Sequence, residues 1–170
     1  IEYQSLYDYI DYAEETGQKY CLVDFGWENW KDSSGKLDYE EKLKKLCKYA
    51  NERNVGILVW YGVKKRDGAH RVDLDNPETI EKEFAWCESL GVKGVKVDYL
   101  ESDSQWAMKD MYDIASIAAK HKLVVNYHGC TDPNGENRTF PNILSSEAVQ
   151  GSEYFKWGSG SPIETLLTLP

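Results

Sequence analysis

The sequence predicts an α/β fold built on a parallel sheet, and three observations predict it. Compact β-rich runs, almost continuously apolar, occur at Tyr20–Phe25, Val55–Tyr61, Val92–Tyr99 and Leu123–Tyr127. Strands that apolar are covered on both faces, which is the condition of a parallel sheet rather than of a half-solvated antiparallel one. Between them the apolar residues change to helical spacing, and the boundaries carry helix start and stop signals. The resulting order, α-β-α-β-α-β-α-β, suits two architectures: an open doubly wound sheet and a closed (β/α)8 barrel.

Each element has its own warrant. Leu6, Ile10 and Ala13 make the apolar stripe of an opening helix, and Gly17 stands where a helix C-terminal glycine belongs. After the first strand, Leu43, Leu46, Cys47 and Ala50 repeat as a second helix. Asn76-Pro77 reads as an N-cap followed by proline in the first turn, Ile80, Phe84 and Cys87 continue that helix, and Gly91 ends it. Ser102-x-x-Gln105 resembles a capping box ahead of a helix with Met111, Ile114, Ala115 and Ala118 on one face. The tail has room for one or two more strands. No glycine-rich phosphate loop follows the first strand, which weakens the nucleotide-binding version of the fold. A complete barrel takes roughly 250 residues, so a barrel made from the 170 present would be incomplete.

Composition narrows the function. With 41% hydrophobic residues the chain can bury a real core. A formal net charge of −9, and no basic cluster longer than Lys64-Lys65-Arg66, make nucleic acid an unsuitable partner. No run of about 18 apolar residues is present to span a membrane. The opening residues are acidic and amphipathic, so no signal peptide is legible. None of the cysteines Cys21, Cys47, Cys87 and Cys130 forms a C-x-x-C pair, which leaves no zinc or redox motif; Cys47 and Cys87 fall on apolar helix faces and read as buried thiols. The chain carries 6 Trp and 12 Tyr; most suit core packing, while those at strand ends also suit stacking on sugar rings.

In parallel α/β folds functional groups gather at the C-terminal ends of the strands. Here those ends read Asp24-Phe25-Gly26-Trp27, Trp60-Tyr61-Gly62, Lys96-Val97-Asp98-Tyr99 and Asn126-Tyr127-His128-Gly129. Lys96 and Asp98 share a strand face. They are either a satisfied ion pair or a nucleophilic carboxylate beside a cation that helps keep it ionised and binds a sugar hydroxyl. Asp24 is either a turn residue or an acceptor for substrate hydroxyls, with Trp27 or Trp60 as an apolar platform; His128 is either a core histidine or a site residue. Glycoside hydrolysis needs two carboxyl groups across one bond, and Glu147 and Glu153 are both candidates for the second. Spacing alone does not choose between them.

Taken together, Val23-Asp24-Phe25-Gly26-Trp27, Gly94-Val95-Lys96-Val97-Asp98-Tyr99, Tyr127-His128-Gly129, Arg138-Thr139-Phe140-Pro141-Asn142, and then Glu147 and Glu153, resemble glycoside hydrolase family 97 over nearly the whole chain. The resemblance implies a partial (β/α)8 TIM barrel, with residues 1–170 covering about strands two to six of the catalytic domain. Strand one, strands seven and eight, and the flanking N-terminal β-sandwich and C-terminal β domain would belong to the remainder of the same polypeptide. The implied activity is that of a calcium-dependent bacterial α-glucosidase or α-galactosidase, periplasmic or secreted. Inverting members carry a base glutamate directly after the histidine matching His128, where this sequence has Gly129. Retaining members carry the aspartate matching Asp98. On that template Asp98 is the nucleophile, Glu153 the general acid/base and Glu147 a calcium ligand; the strand-end reading adds Asp24, Trp27, Trp60, Lys96 and His128 as the substrate-binding residues. An inverting α-glucosidase of the same family and a non-catalytic carbohydrate-binding module are the alternative readings. The 170-residue piece by itself is expected to be inactive and poorly folded, because an open part-barrel exposes two strand edges.

Overall fold

The computed structural model describes residues 2–63, 72–149 and 151–158; Lys64-Lys65-Arg66, Gln150 and the tail 159–170 lie outside the described residues. Five strands, β1 (Tyr20–Val23), β2 (Gly56–Gly62), β3 (Gly94–Asp98), β4 (Val124–Tyr127) and β5 (Ile143–Ser146), form one sheet in the order β1-β2-β3-β4-β5. Every neighbouring pair is parallel. The helices α1 (Ser5–Glu15), α2 (Tyr39–Asn51), α3 (Pro77–Leu90), α4 (Gln105–Lys120) and the single-turn α5 (Glu136–Thr139) alternate with the strands. A doubly wound sheet reverses its strand order at a switch point. This sheet never does, and α1 to α4 pack successively against one another along one face. That is the wall of a barrel.

The alternation of side chains explains how one face becomes core and the other a site. On β3, Val95 and Val97 point to the helices and join a cluster with Leu43, Leu46, Phe84, Ile114 and Val125, while Lys96 and Asp98 point the other way. All five β3 residues are buried, so the strand is apolar on the helix side and functional on the other. Gly94 is required at its start: a Cβ there would lie 2.5 Å from Val124 Cγ2 and 2.6 Å from the Val124 carbonyl oxygen.

Helix ends follow the sequence signals with one change. Asn76 Oδ1 accepts from Thr79 N at 2.9 Å, and Pro77 opens α3. Gly91 closes α3 with φ 87°. At α4 the cap is Ser104 rather than Ser102, because the helix begins at Gln105 and Ser104 directly precedes it; its hydroxyl accepts from Ala107 N. Ser102 supports the cap by accepting from Ser104 N at 3.1 Å.

The tail supplies one strand, β5, and its pairing with β4 contains an irregularity. Val125 pairs with Ile143, but Asn126 pairs with Ser145 and Tyr127 with Ser146, so Leu144 is an extra residue. A one-residue insertion reverses the side-chain phase of everything that follows. Glu147 is thereby brought into phase with His128.

Candidate active site

The C-terminal ends of the strands enclose a cavity of about 540 Å³, lined among others by Asp24, Phe25, Trp60, Lys96, Asp98, Tyr99, His128, Glu147 and Glu153. Among its acids Asp98 accepts from three groups. Trp60 Nε1 donates to Oδ2 at 3.0 Å, Tyr99 N donates to Oδ1 at 2.8 Å, and His128 Nδ1 lies 3.1 Å from Oδ1. Burial pushes the carboxyl's pKa up, but the hydrogen bonds from His128 and Trp60, with the charge of His128, more than offset that and hold it below the ordinary aspartate value.

His128 links two acids. Besides Asp98 it meets Glu147 Oε2 through Nε2 at 3.0 Å. The hydrogen bond to Asp98 raises its pKa, burial lowers it, and the Asp98 and Glu147 charges add to the rise, leaving the imidazole more basic than usual. Glu147 also accepts from Gly129 N at 3.3 Å. Glu153 arrives from the 3-10 turn Ser152–Trp157, pairs with Lys156 Nζ at 3.4 Å, and has a carboxylate oxygen within 4.8 Å of donor atoms of both His128 and Glu147. The structure thus brings Asp98 and Glu153, remote in sequence, to one cavity.

Lys96 is placed differently from the expectation of a cation beside Asp98. Its ammonium pairs with Asp24 Oδ2 at 2.9 Å, and the donors that hold Asp98 ionised are Trp60, Tyr99 N and His128. Asp24 also accepts from Phe25 N at 2.7 Å, so its turn role and its place on the cavity wall coexist.

Trp27 requires a correction as a candidate sugar platform. It is fully buried away from the cavity, stacked on Trp86 at 6.1 Å and edge-on to Tyr61, with Nε1 donating to the Trp60 carbonyl at 2.9 Å. The cause is Gly26, whose φ of 94° turns the chain after Phe25 and drives Trp27 into the core. Phe25 lines the cavity instead, 43% exposed and edge-on to Trp60 at 5.0 Å. Trp60 lines it too, but at 1% exposure it offers Asp98 a hydrogen bond rather than a sugar an open face.

Sequence reasoning missed Phe25, Tyr99, Glu101, Tyr154 and Trp157 on the cavity wall. Proximity to Asp24 and Asp98 was the signal available for the first three. Tyr99 and Glu101 take positive φ values of 68° and 41°, a conformation that costs residues with a Cβ roughly 1–3 kcal/mol each and that concentrates at functional sites. It is held by Tyr99 N on Asp98 and by Glu101 N on the Gly129 carbonyl at 2.6 Å.

Residues 1–149 match the sequence model of the family described as Glycoside hydrolase 97. A retaining alpha-galactosidase of Bacteroides thetaiotaomicron is 38% identical over 154 residues, 90% of this chain. A protein of Streptomyces bingchenggensis described as a probable retaining alpha-galactosidase is 38% identical over 149 residues, 85% of the chain. The chain spans 22% of the length of each of these relatives. Among solved structures, a beta-arabinopyranosidase superposes with a TM-score of 0.77 at 34% identity, over 92% of this chain and 24% of that one.

Proposed function

The chain belongs to glycoside hydrolase family 97, and on that premise we propose that it carries the catalytic acids of a retaining α-glycoside hydrolase, with Asp98 as nucleophile and Glu153 as general acid/base. The observation that carries the reading is Asp98 itself, a buried carboxylate kept ionised by three donors and facing the cavity that Glu153 also lines. In the first step an Asp98 oxygen bonds to the anomeric carbon as the glycosidic C–O bond breaks, and the leaving oxygen takes the proton of Glu153. In the second, water attacks that carbon, gives its proton to Glu153, and the electron pair of the ester bond returns to Asp98. Lys96 and Asp24 offer a donor and an acceptor to sugar hydroxyls, and Phe25 offers an apolar ring face.

Gly129 supports retention over inversion. A Cβ at that position would lie 3.6 Å from Asp98 Oδ1. A glutamate there would set a second carboxylate against the first, so an inverting base at 129 and an ionised Asp98 are poor companions. For a retaining pair the two carboxyl groups of the intact enzyme stand roughly 5–5.5 Å apart.

The reading includes calcium. Donor atoms of His128, Glu147 and Glu153 lie within 4.8 Å of one another, and carboxylates suit a hard cation while imidazole does not. Glu147 would therefore hold the ion together with oxygen ligands from the remainder of the polypeptide, with His128 orienting Glu147 through Nε2. When bound, the ion supplies positive charge beside the sugar hydroxyls. We further read the chain as part of a (β/α)8 catalytic domain completed by more of the polypeptide. The named relatives are bacterial, and a periplasmic or secreted location fits an enzyme whose oligosaccharide substrates are met outside the cytoplasm. Among the described residues no helix is long and apolar enough to cross a membrane.

The test uses the intact polypeptide on aryl α-galactoside, α-glucoside and β-L-arabinopyranoside. The first and third share ring configuration and differ by a hydroxymethyl group. NMR should show the retained anomer released first, and chelator should remove activity that added calcium restores. Asp98→Gly should abolish turnover, and azide should return activity as a glycosyl azide of inverted configuration. An Asp98→Gly enzyme of unchanged rate refutes the assignment.

A further inference from the structure

The two oxygens of Asp98 are not equivalent. Oδ1 is engaged by both Tyr99 N and His128 Nδ1, whereas Oδ2 meets the indole N–H of Trp60. An oxygen already accepting from two donors has little lone-pair density left to form a bond to carbon, and one with a single donor keeps it. Trp60 is moreover held rigidly. Its ring lies edge-on between Phe25 at 5.0 Å and Tyr99 at 5.7 Å, its carbonyl accepts from the buried Trp27 indole, and it is 1% exposed. A donor locked in this way makes its hydrogen bond without reorganising during the reaction.

We propose that Oδ2 of Asp98 is the attacking oxygen and that Trp60 is its positioning residue, whose indole N–H receives the negative charge that returns to Oδ2 in the second step. This rests on the reading of Asp98 as nucleophile. As the C1–Oδ2 bond forms, charge leaves Oδ2 and the hydrogen bond weakens. As water displaces the ester, the electron pair returns to Oδ2 and the hydrogen bond strengthens again. The N–H therefore favours departure of the carboxylate more than its attack, and its loss should fall mainly on the second step.

The experiment compares Trp60→Phe, which keeps a ring and removes the donor, with the native enzyme in the intact polypeptide on a dinitrophenyl α-galactoside. With hydrogen bonds to charged groups as the guide, kcat should fall about 10- to 100-fold and KM should fall with it, leaving kcat/KM nearly unchanged. Intact-mass measurement during turnover should show the glycosyl-enzyme accumulating. A merely structural lesion lowers kcat/KM and accumulates nothing, and that result, or native kcat and KM, overturns the proposal. If Trp60→Phe does not fold, benzothienylalanine at position 60 preserves the ring volume without the N–H and carries the same test. Asp98→Gly run in parallel separates the two ideas: azide-rescued Asp98→Gly with an unaltered Trp60→Phe sinks only the role of Trp60, whereas an active Asp98→Gly sinks the nucleophile reading itself.

Discussion

Gly94→Ala should damage both stability and catalysis, and the structure sets the size of the effect. The added methyl would stand 2.5 Å from Val124 Cγ2, 2.6 Å from the Val124 carbonyl oxygen and 3.0 Å from Leu58 Cγ. Comfortable contacts between such atoms fall near about 3.5–4.0 Å, so β3 and β4 must part by on the order of 1 Å. The obstructing atom is backbone, paired in register with Gly94 itself, and no rotamer change relieves it. Overpacking of this kind typically costs about 1–3 kcal/mol, and the upper end applies here. Because Lys96 and Asp98 ride on the same strand, a displacement of about 1 Å should also lower kcat/KM by on the order of 100-fold. Gly56→Ala is the control. Its methyl would meet the Tyr20 ring at 2.8 Å and Lys93 Cβ at 3.0 Å, and Tyr20 is 38% exposed, so its ring can turn outward; the cost should fall at the lower end of that range, about 1 kcal/mol. Protease resistance across temperature and kcat/KM on an aryl α-galactoside, both in the intact polypeptide, measure the pair. A Gly94→Ala protein as stable and active as the native one, or a Gly56→Ala protein that suffers more, refutes the reasoning.

The division of labour between neighbouring aromatics predicts that Trp27→Ala costs about 3–5 kcal/mol as a core truncation, while Phe25→Ala leaves the melting temperature nearly unchanged and raises KM; melts and steady-state kinetics check both. Deleting Leu144 removes the extra residue of β5 and turns Glu147 out of phase with His128, so calcium affinity by calorimetry should fall at least tenfold, in line with loss of a metal-site group. At the α3–α4 contact, His121 is bonded to Glu88 and Glu81 at 2.9 and 3.0 Å; the bond to Glu88, opposed by burial and aided by Glu81, raises its pKa. A raised histidine contributes its full stability below the unfolded value of about 6.5 and loses it as pH climbs through the higher folded value. Amide protection factors at the C-terminal turns of α3 and α4, corrected for the intrinsic base-catalysed rate, should therefore fall across that window, and His121→Gln should flatten the dependence.

Much of the fold was legible because local rules and tertiary structure agree. Apolar runs with helical stretches between them can bury themselves only as a parallel sheet with helices, and Asn76-Pro77 and Gly91 cap α3 where their backbone preferences require. The strand-end positions of Asp98, Lys96 and His128 followed from the same pattern. Trp27 and Phe25 were not distinguishable in sequence, since both are aromatics beside Asp24; the positive φ at Gly26 decides which one enters the core. The Ser104 cap was missed for a similar reason, because three serines and aspartates in a row offer competing starts and only the first helical hydrogen bonds select one.

What the sequence determined alone is periodicity: which residues alternate, which repeat at helical spacing, and therefore which side chains of β1 to β4 share a face. Tertiary structure decided everything that depends on the phase and meeting of separate segments. Lys96 faces Asp24 rather than Asp98, Trp60 gives its N–H to Oδ2, and a single extra residue at Leu144 rotates Glu147 toward His128. Such contacts join residues tens of positions apart, and a pleat of period two records which side a residue takes only after the register between strands has been set.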